Sequence, residues 1–310
     1  MILKHRLVVH AFAALAVAFA TSALAQDTPP RRQPPEQKVY ASPDDAAQAL
    51  SQAMRGTDNR ELAAVLGRGG GRLVFSGDRD ADAQTRADFV AAYDASHRVE
   101  TSGGDKATLI LGANEYPFPF PLVKNDAGWR FDAATGAEEI VARRIGANEL
   151  AAMQVCLAYV DAQREYVLKD RDANGFLEYA QKLASTPGQR DGLYWETKEG
   201  EPLSPFGPIA VQERRPGQGE RDAYHGYRYK ILTAQGPSAR GGEFDYVVKG
   251  KMIGGFALIA YPARYGVSGV MSFIVNQEGV IYEKNLGKNT REVAGKIIAY
   301  DPDSSWTKVE

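Results

Sequence analysis

Asp170, Asp172, Asn174 and Glu178 occur in the turn DRDANGFLEYAQ, residues 170–181, at the spacing of a calcium loop, with Gly175 at the sharp bend. Calcium takes about six to eight oxygen ligands. Three carboxylates, the Asn174 amide oxygen, the backbone carbonyl of Phe176 and water would supply them. Leu177 falls at the buried position of such a loop. The pattern departs at its end, where Gln181 stands in place of a bidentate Glu, so weaker calcium binding is expected. The competing reading is a helix stop with Asn174-Gly175 as its turn. Other reactive side chains are sparse. Cys156, the single cysteine, lies between Val155 and Leu157, the setting of a small buried thiol that makes a poor nucleophile, with or without His225 as its base. His97 and His225 are far apart, whereas zinc needs three or four clustered ligands. The run GRGGGR, residues 67–72, has no strand before it and no Lys-Ser/Thr after it, so it reads as a helix terminator and loop, not a phosphate cradle.

The element that must position this turn is the stretch just before it. In residues 146–181, polar side chains fall mainly at Gln154, Asp161, Arg164 and Glu165, while Met153, Cys156, Leu157, Val160 and Val167 form one flank and Val155, Tyr159 and Tyr166 another. This pattern predicts a long helix over residues 148–168 with only a thin edge facing water. Such a helix needs a sheet around it. The runs at residues 226–233, 246–249, 254–261, 270–275 and 280–284 supply strands, with Asn276-Gln277-Glu278-Gly279 as a turn. Alternation at Phe273, Val275, Val280 and Tyr282 predicts half-buried antiparallel strands with one wet face. The nine aromatics from Tyr227 to Tyr282 could line a carbohydrate or peptide groove, or pair across strands of the sheet. Residues 179–183 are expected to form a short helical turn. Residues 185–220 read as a surface excursion held down by Leu193, Tyr194, Trp195, Phe206 and Ile209.

Upstream, Lys4, His5 and Arg6, an apolar run at residues 7–19 and Ala23-Leu24-Ala25 compose an export signal cleaved after Ala25. The apolar run is shorter than the roughly 20 residues of a spanning helix, and the mature chain is expected to have no transmembrane helix. The chain has 37 Lys and Arg against 39 Asp and Glu; without Lys4 and Arg6 the count is 35 against 39. This balance gives no basic excess for a nucleic-acid partner. Residues 26–40, rich in proline, read as a tether. Ser42 caps a first helix with Pro43 at its first position and Asp44 and Asp45 in its first turn. A second helix at residues 58–66, a possible strand at residues 73–76 and a third helix at residues 82–96 with Phe89, Val90 and Tyr93 inward come next. Strands are expected at residues 98–101, 107–111, 118–124 and 128–132. Pro117, Pro119 and Pro121 confine the third of these to an edge or a late start.

Helices followed by a meander ending in GWRFD resemble the cystatin-like and nuclear-transport-factor-2-like modules. The segments RDGLYW at residues 190–195, YHGYRYKILTAQG at 224–236 and MIGGFALIAYPARYGVSGVMSFIVNQEGVIYEKNLG at 252–287 resemble the bacterial family known as domain of unknown function 2950, over essentially the whole mature chain. That likeness implies no activity. The order of NELAAMQVCLAYVDAQREY, GYRYKI and the last of those segments is also similar to the soluble part of type IV pilin-like proteins and pseudopilins, which lay a long helix on an antiparallel sheet. A cleavable leader and a preceding domain leave no apolar helix for fibre assembly.

The expected architecture is α+β: an export signal at residues 1–25, a linker at 26–40, an N-terminal domain at 41–145, and a long helix with a C-terminal antiparallel sheet at 146–310. The expected role is a periplasmic or secreted, non-enzymatic structural or protein-interaction module of the cell envelope, with envelope proteins or peptidoglycan-associated components as partners and calcium as the one cofactor considered. The alternatives are an envelope hydrolase, which two close carboxylates of raised pKa would support, and small-ligand binding by the N-terminal domain, which an apolar cavity beneath Trp129 would support.

Overall fold

The computed structural model describes residues 35–70, 79–171, 173, 175–207 and 223–310. The leader, the first part of the tether, the expected strand at residues 73–76 and Ile209 lie outside the described residues. In the N-terminal half, Ser42 and Asp45 close a capping box, each side chain accepting from the other's backbone N–H at 3.1 and 3.2 Å, and start α1 (Pro43–Arg55). Asp58 caps α2 (Asn59–Leu66), which stops at Gly67 with φ 87°. After α3 (Arg79–Ala95) come β1 (His97–Ser102), β2 (Lys106–Leu111), β3 (Tyr116–Pro117), β4 (Leu122–Asn125) and β5 (Gly128–Phe131). Their antiparallel sheet has the order β1-β2-β4-β5, with β3 also paired to β2. The expected strand at residues 118–124 therefore starts late, at Leu122. Residues 118–121 make no ladder because alternate positions lack an amide donor.

The tether does not run free to residue 40. Lys38 N–H donates to Ala64 O at 2.8 Å, and Tyr40 and Trp129 exchange two backbone bonds of 2.8 Å, extending the sheet at β5. Gly128 accepts this neighbour only because it has no side chain: a Cβ there would lie 2.5 Å from Tyr40 O.

Asp132 then caps α4 (Ala133–Tyr166), 34 residues long, which at the α-helical rise is about 50 Å. This helix begins 15 residues before the expected position 148, and Gly146, the expected domain boundary, lies inside it. Its first turns join the N-terminal core through Ile140, and its last turns enter the C-terminal core through Ala152, Val155, Cys156, Tyr159, Val160 and Tyr166. The thin wet edge is wider than expected. Gln154, Leu157, Ala158, Asp161, Arg164 and Glu165 all face water, and Leu157, assigned above to a buried flank, is 39% exposed.

The C-terminal strands are β6 (Tyr227–Leu232), β7 (Ala234–Gln235), β8 (Phe244–Asp245), β9 (Val247–Val248), β10 (Lys251–Met252), β11 (Ala257–Pro262), β12 (Ser272–Asn276) and β13 (Ile281–Lys284), followed by α5 (Thr290–Lys296), β14 (Ala299–Tyr300) and β15 (Thr307–Lys308). The main antiparallel sheet has the order β15-β13-β12-β11-β6. α4 packs on β11 and β12, while α5 and β14 also lie against the central strands. Register places Leu258, Ala260, Phe273 and Val275 on one face and Ala257, Ile259, Ile274 and Asn276 on the other. Every residue of β12 is buried. The expectation of one wet face is thus corrected, because α5 and β14 cover the side that alternation left to solvent. Lys230 on β6 ties that cover down, donating to the carbonyls of Ala294 and Gly295 at 2.8 Å each; burial lowers its pKa.

Residues 179–183 are irregular, with bends at Gln181 and Leu183, and not helical. Their backbone is claimed from three directions. Tyr179 N–H donates to Met252 O, and Leu183 O accepts from Tyr194 N–H. The fully buried Gln163 holds Ala180 as a strand would, its Oε1 accepting from the Ala180 N–H and its Nε2 donating to Ala180 O, both at 2.8 Å. The excursion after residue 185 is held down by Leu193, Trp195 and Phe206, all buried in the same core.

Two measurements check these anchors. Gln163→Leu strands the buried N–H and C=O of Ala180 and should cost about 3 kcal/mol, read as a lower urea midpoint. Asp132→Ala should cost about 1 kcal/mol. Burial raises the Asp132 pKa, but hydrogen bonds from Thr135 and Ala134 outweigh it and leave it below the usual carboxylate range. Its stabilisation is therefore complete above the unfolded-state pKa of about 3.9 and lost as pH falls through the lower folded value. The difference between wild type and variant should be constant near neutrality and vanish only in acid.

Candidate functional site

The sequence PFPFP, residues 117–121, builds the most distinctive concavity of the N-terminal half. Beyond β3 the run leaves the ladder and bends at Pro119 and Phe120, turning Phe118 and Phe120 into the core. Phe118 N–H donates to Leu109 O at 2.7 Å, which fixes its height beside β2. Phe118 meets Phe89 of α3 edge-on at 5.5 Å and Phe120 at 5.4 Å. With Met54, Ala92, Leu111 and Ile140 these rings wall a groove of about 450 Å3, with Thr85, Asp88 and Asn114 as its polar members. Arg143 of α4 stands at the Tyr116 side of the groove. Its guanidinium lies 5.0 Å from the Tyr116 ring centre, pairs with Glu139 and donates to Pro117 O at 2.8 Å. The aromatic run is thereby fastened to the long helix. Helix α4 can approach Phe120 so closely only because position 136 is glycine; a Cβ there would overlap the ring.

Such a site can take up an apolar group by desolvation alone. It is not the cavity anticipated beneath Trp129. That indole is buried against Tyr40, with Lys124 over its ring at 6.0 Å. The signal for the true groove was two phenylalanines alternating with three prolines.

In the 170–181 turn, Asp170 accepts the Gly175 N–H at 2.8 Å. Glu178, nearly buried, pairs with Lys251 at 3.3 Å, and the same ammonium lies 4.4 Å from the Phe176 ring centre. Gln181 donates to Gly250 O. Glu178 and Phe176 are thus drawn to the β9–β10 ribbon, while Asp170 serves the turn; Asp172 and Asn174 lie outside the described residues. Among the described residues, no group of three or more His, Cys, Asp or Glu side chains is placed to hold a metal.

Cys156 is fully buried and its thiol is pushed up to about 12 by that burial, which keeps it protonated. Of the C-terminal aromatics, Tyr227, Tyr246, Phe256 and Phe273 are core residues, with Phe256 between Tyr159 and Tyr179 at 5.6 and 4.8 Å. These rings pack the sheet. Sequence inspection missed one polar arrangement: Glu149 of α4 accepts from Val270 and Met271 N–H at 2.9 and 3.0 Å, Asn148 donates to Ser268 O and Arg144 to Val267 O. It latches the loop between β11 and β12 to the helix. Burial, and then the Glu149 charge, raise the pKa of Tyr227 beside it. The carboxylates with resolved shifts, Asp132, Asp191 and Asp303, are all lowered.

The class these features define is a mixed α+β protein with several antiparallel sheets. Residues 37–309 match the family described as "Protein of unknown function (DUF2950)", and the chain belongs to that family. No curated protein and no solved structure matches the chain. Within the described residues, no helix is long and apolar enough to cross a membrane.

Gly136→Ala tests the groove wall. Ala favours the helix by up to about 1 kcal/mol, but overpacking against Phe120 costs about 1–3 kcal/mol. A net loss of stability is expected in thermal unfolding, together with changed near-ultraviolet circular dichroism from the displaced rings.

Proposed function

We propose that the protein is an exported, non-catalytic binding and interaction module of the bacterial cell envelope, whose N-terminal half takes an apolar group into the groove walled by Phe89, Phe118 and Phe120. The observation that carries this reading is the groove itself. Its volume of about 450 Å3 falls in the usual range for small-ligand sites, roughly 300–1,000 Å3, and so does its balance of many apolar walls with a few polar groups. The envelope address is supported by the basic, apolar and small-residue segments of positions 4–25. The order of helices and meander supports the likeness to cystatin-like and nuclear-transport-factor-2-like modules. The long helix laid on an antiparallel sheet supports the likeness to pilin-like proteins, as a fold without a fibre.

The test is a fluorescence titration with N-phenyl-1-naphthylamine, an uncharged apolar probe. Saturable enhancement at one site per chain is expected. Ala92→Phe, which fills the groove from α3, should weaken it at least tenfold with the urea midpoint little changed. Absence of saturable enhancement in the wild type, or equal enhancement in Ala92→Phe, overturns the reading.

A further inference from the structure

A second groove lies on the polar side of α1, and nothing in the apolar groove requires it. Asp44, Gln48 and Gln52 recur every four residues, with Ser51 and Arg55 beside them, so that one helix face carries a row of polar side chains with Ala47 among them. From Asp44 to Arg55 this row runs about 16 Å at the α-helical rise. The opposite wall is Tyr93 and His97, and the space between holds about 500 Å3. The aromatic wall is built as a column. The His97 ring stacks on Tyr93 at 3.7 Å and 14°, and Tyr93 stacks in turn on Phe89 at 6.1 Å. Nδ1 of His97 lies 2.9 Å from the Tyr93 carbonyl; a carbonyl only accepts, so Nδ1 carries the proton and Nε2 of the neutral ring is left as an acceptor. The Tyr93 phenol is raised by burial first and then by the Asp44 charge, so it remains an O–H donor near that carboxylate.

We infer that this groove is a binding site for an uncharged oligosaccharide. Three features choose that chemistry over others. Charge gives an anion no foothold: Arg55 is already paired with Asp94, and Asp44 stands at the other end, so the lining has no positive excess for a phosphate. The lining offers donors and acceptors side by side. Each Gln amide has both, as do the Ser51 and Tyr93 hydroxyls, which suits vicinal hydroxyls and acetamido groups that also have both. The exposed face of the His97–Tyr93 column gives an aromatic platform for the apolar face of a sugar ring. A nucleic-acid strand would also stack on rings, but it requires a positive groove to track its backbone, and this one has no positive excess.

Chitotetraose and, in a separate arm, maltotetraose are titrated into the isotope-labelled mature chain and followed by amide chemical shifts. Saturable shifts are expected at residues 44–55 and at 93–97 for at least one of the two. The double variant Gln48→Ala/Gln52→Ala, changed only at exposed positions, should weaken that binding at least fivefold with unchanged thermal unfolding, and His97→Ala should weaken it by removing the platform. Ala92→Phe, which blocks the apolar groove, should leave sugar binding intact. No saturable shift with either sugar, shifts that map elsewhere, or undiminished binding by the double variant overturns the assignment.

Discussion

Helix α4 must serve two apolar cores at once, and most of the structure is arranged to let it. Its first turns lie against the aromatic run of residues 117–121, its last against the central strands β11 and β12, and neither neighbour can be moved without displacing the other. Three fixings make this possible. Gly136 gives the Phe120 ring room at one end. Arg144, Asn148 and Glu149 hold a loop of the C-terminal sheet at the middle. At the far end Gln163 substitutes for a strand edge, pairing with both backbone groups of Ala180. Polar side chains do the positioning and apolar area supplies the free energy, a division expected where a buried amide is costly unless matched.

The same division governs several reactive side chains among the described residues. Groups that elsewhere act as nucleophiles or proton carriers are committed to structure here: the Cys156 thiol is sealed in the core, and the carboxylates of Glu149, Glu178 and Asp132 are used as a latch, a salt-bridge partner and a helix cap. Two concave surfaces lie in the N-terminal half around α1 and α3. One is greasy, one wettable, and a stack of three rings, Phe89, Tyr93 and His97, runs from the first to the second.

Much of this was legible in residue order. The Ser42 N-cap, the stop at Gly67, the inward face of α3, the meander and the position of the late strands follow from local rules that tertiary contacts did not override. Long-range burial was less visible. Leu157 looks buried because its neighbours are, yet it faces water; β12 looks half wet, but α5, encoded some 20 residues later, covers it. The start of α4 was hidden by two glycines that ordinarily argue against a helix, and only the partner ring explains one of them. Of the candidate site, the phenylalanines and prolines could be seen but not the hollow they leave, because a cavity is set by what packs around it and has no signature of its own. The 170–181 turn was the reverse case: a recognisable spacing, in which Glu178 has an ammonium partner from a ribbon some 70 residues away.

One consequence concerns how such a chain could be dissected. A cut between residues 145 and 146, where glycine invites a boundary, falls within an unbroken run of helical hydrogen bonds. Each fragment would inherit a severed half of the beam that braces it, and neither would be a natural building block. An insertion is better placed at an exposed turn such as Asp126-Ala127, where the backbone can be interrupted without breaking a member that two interiors share.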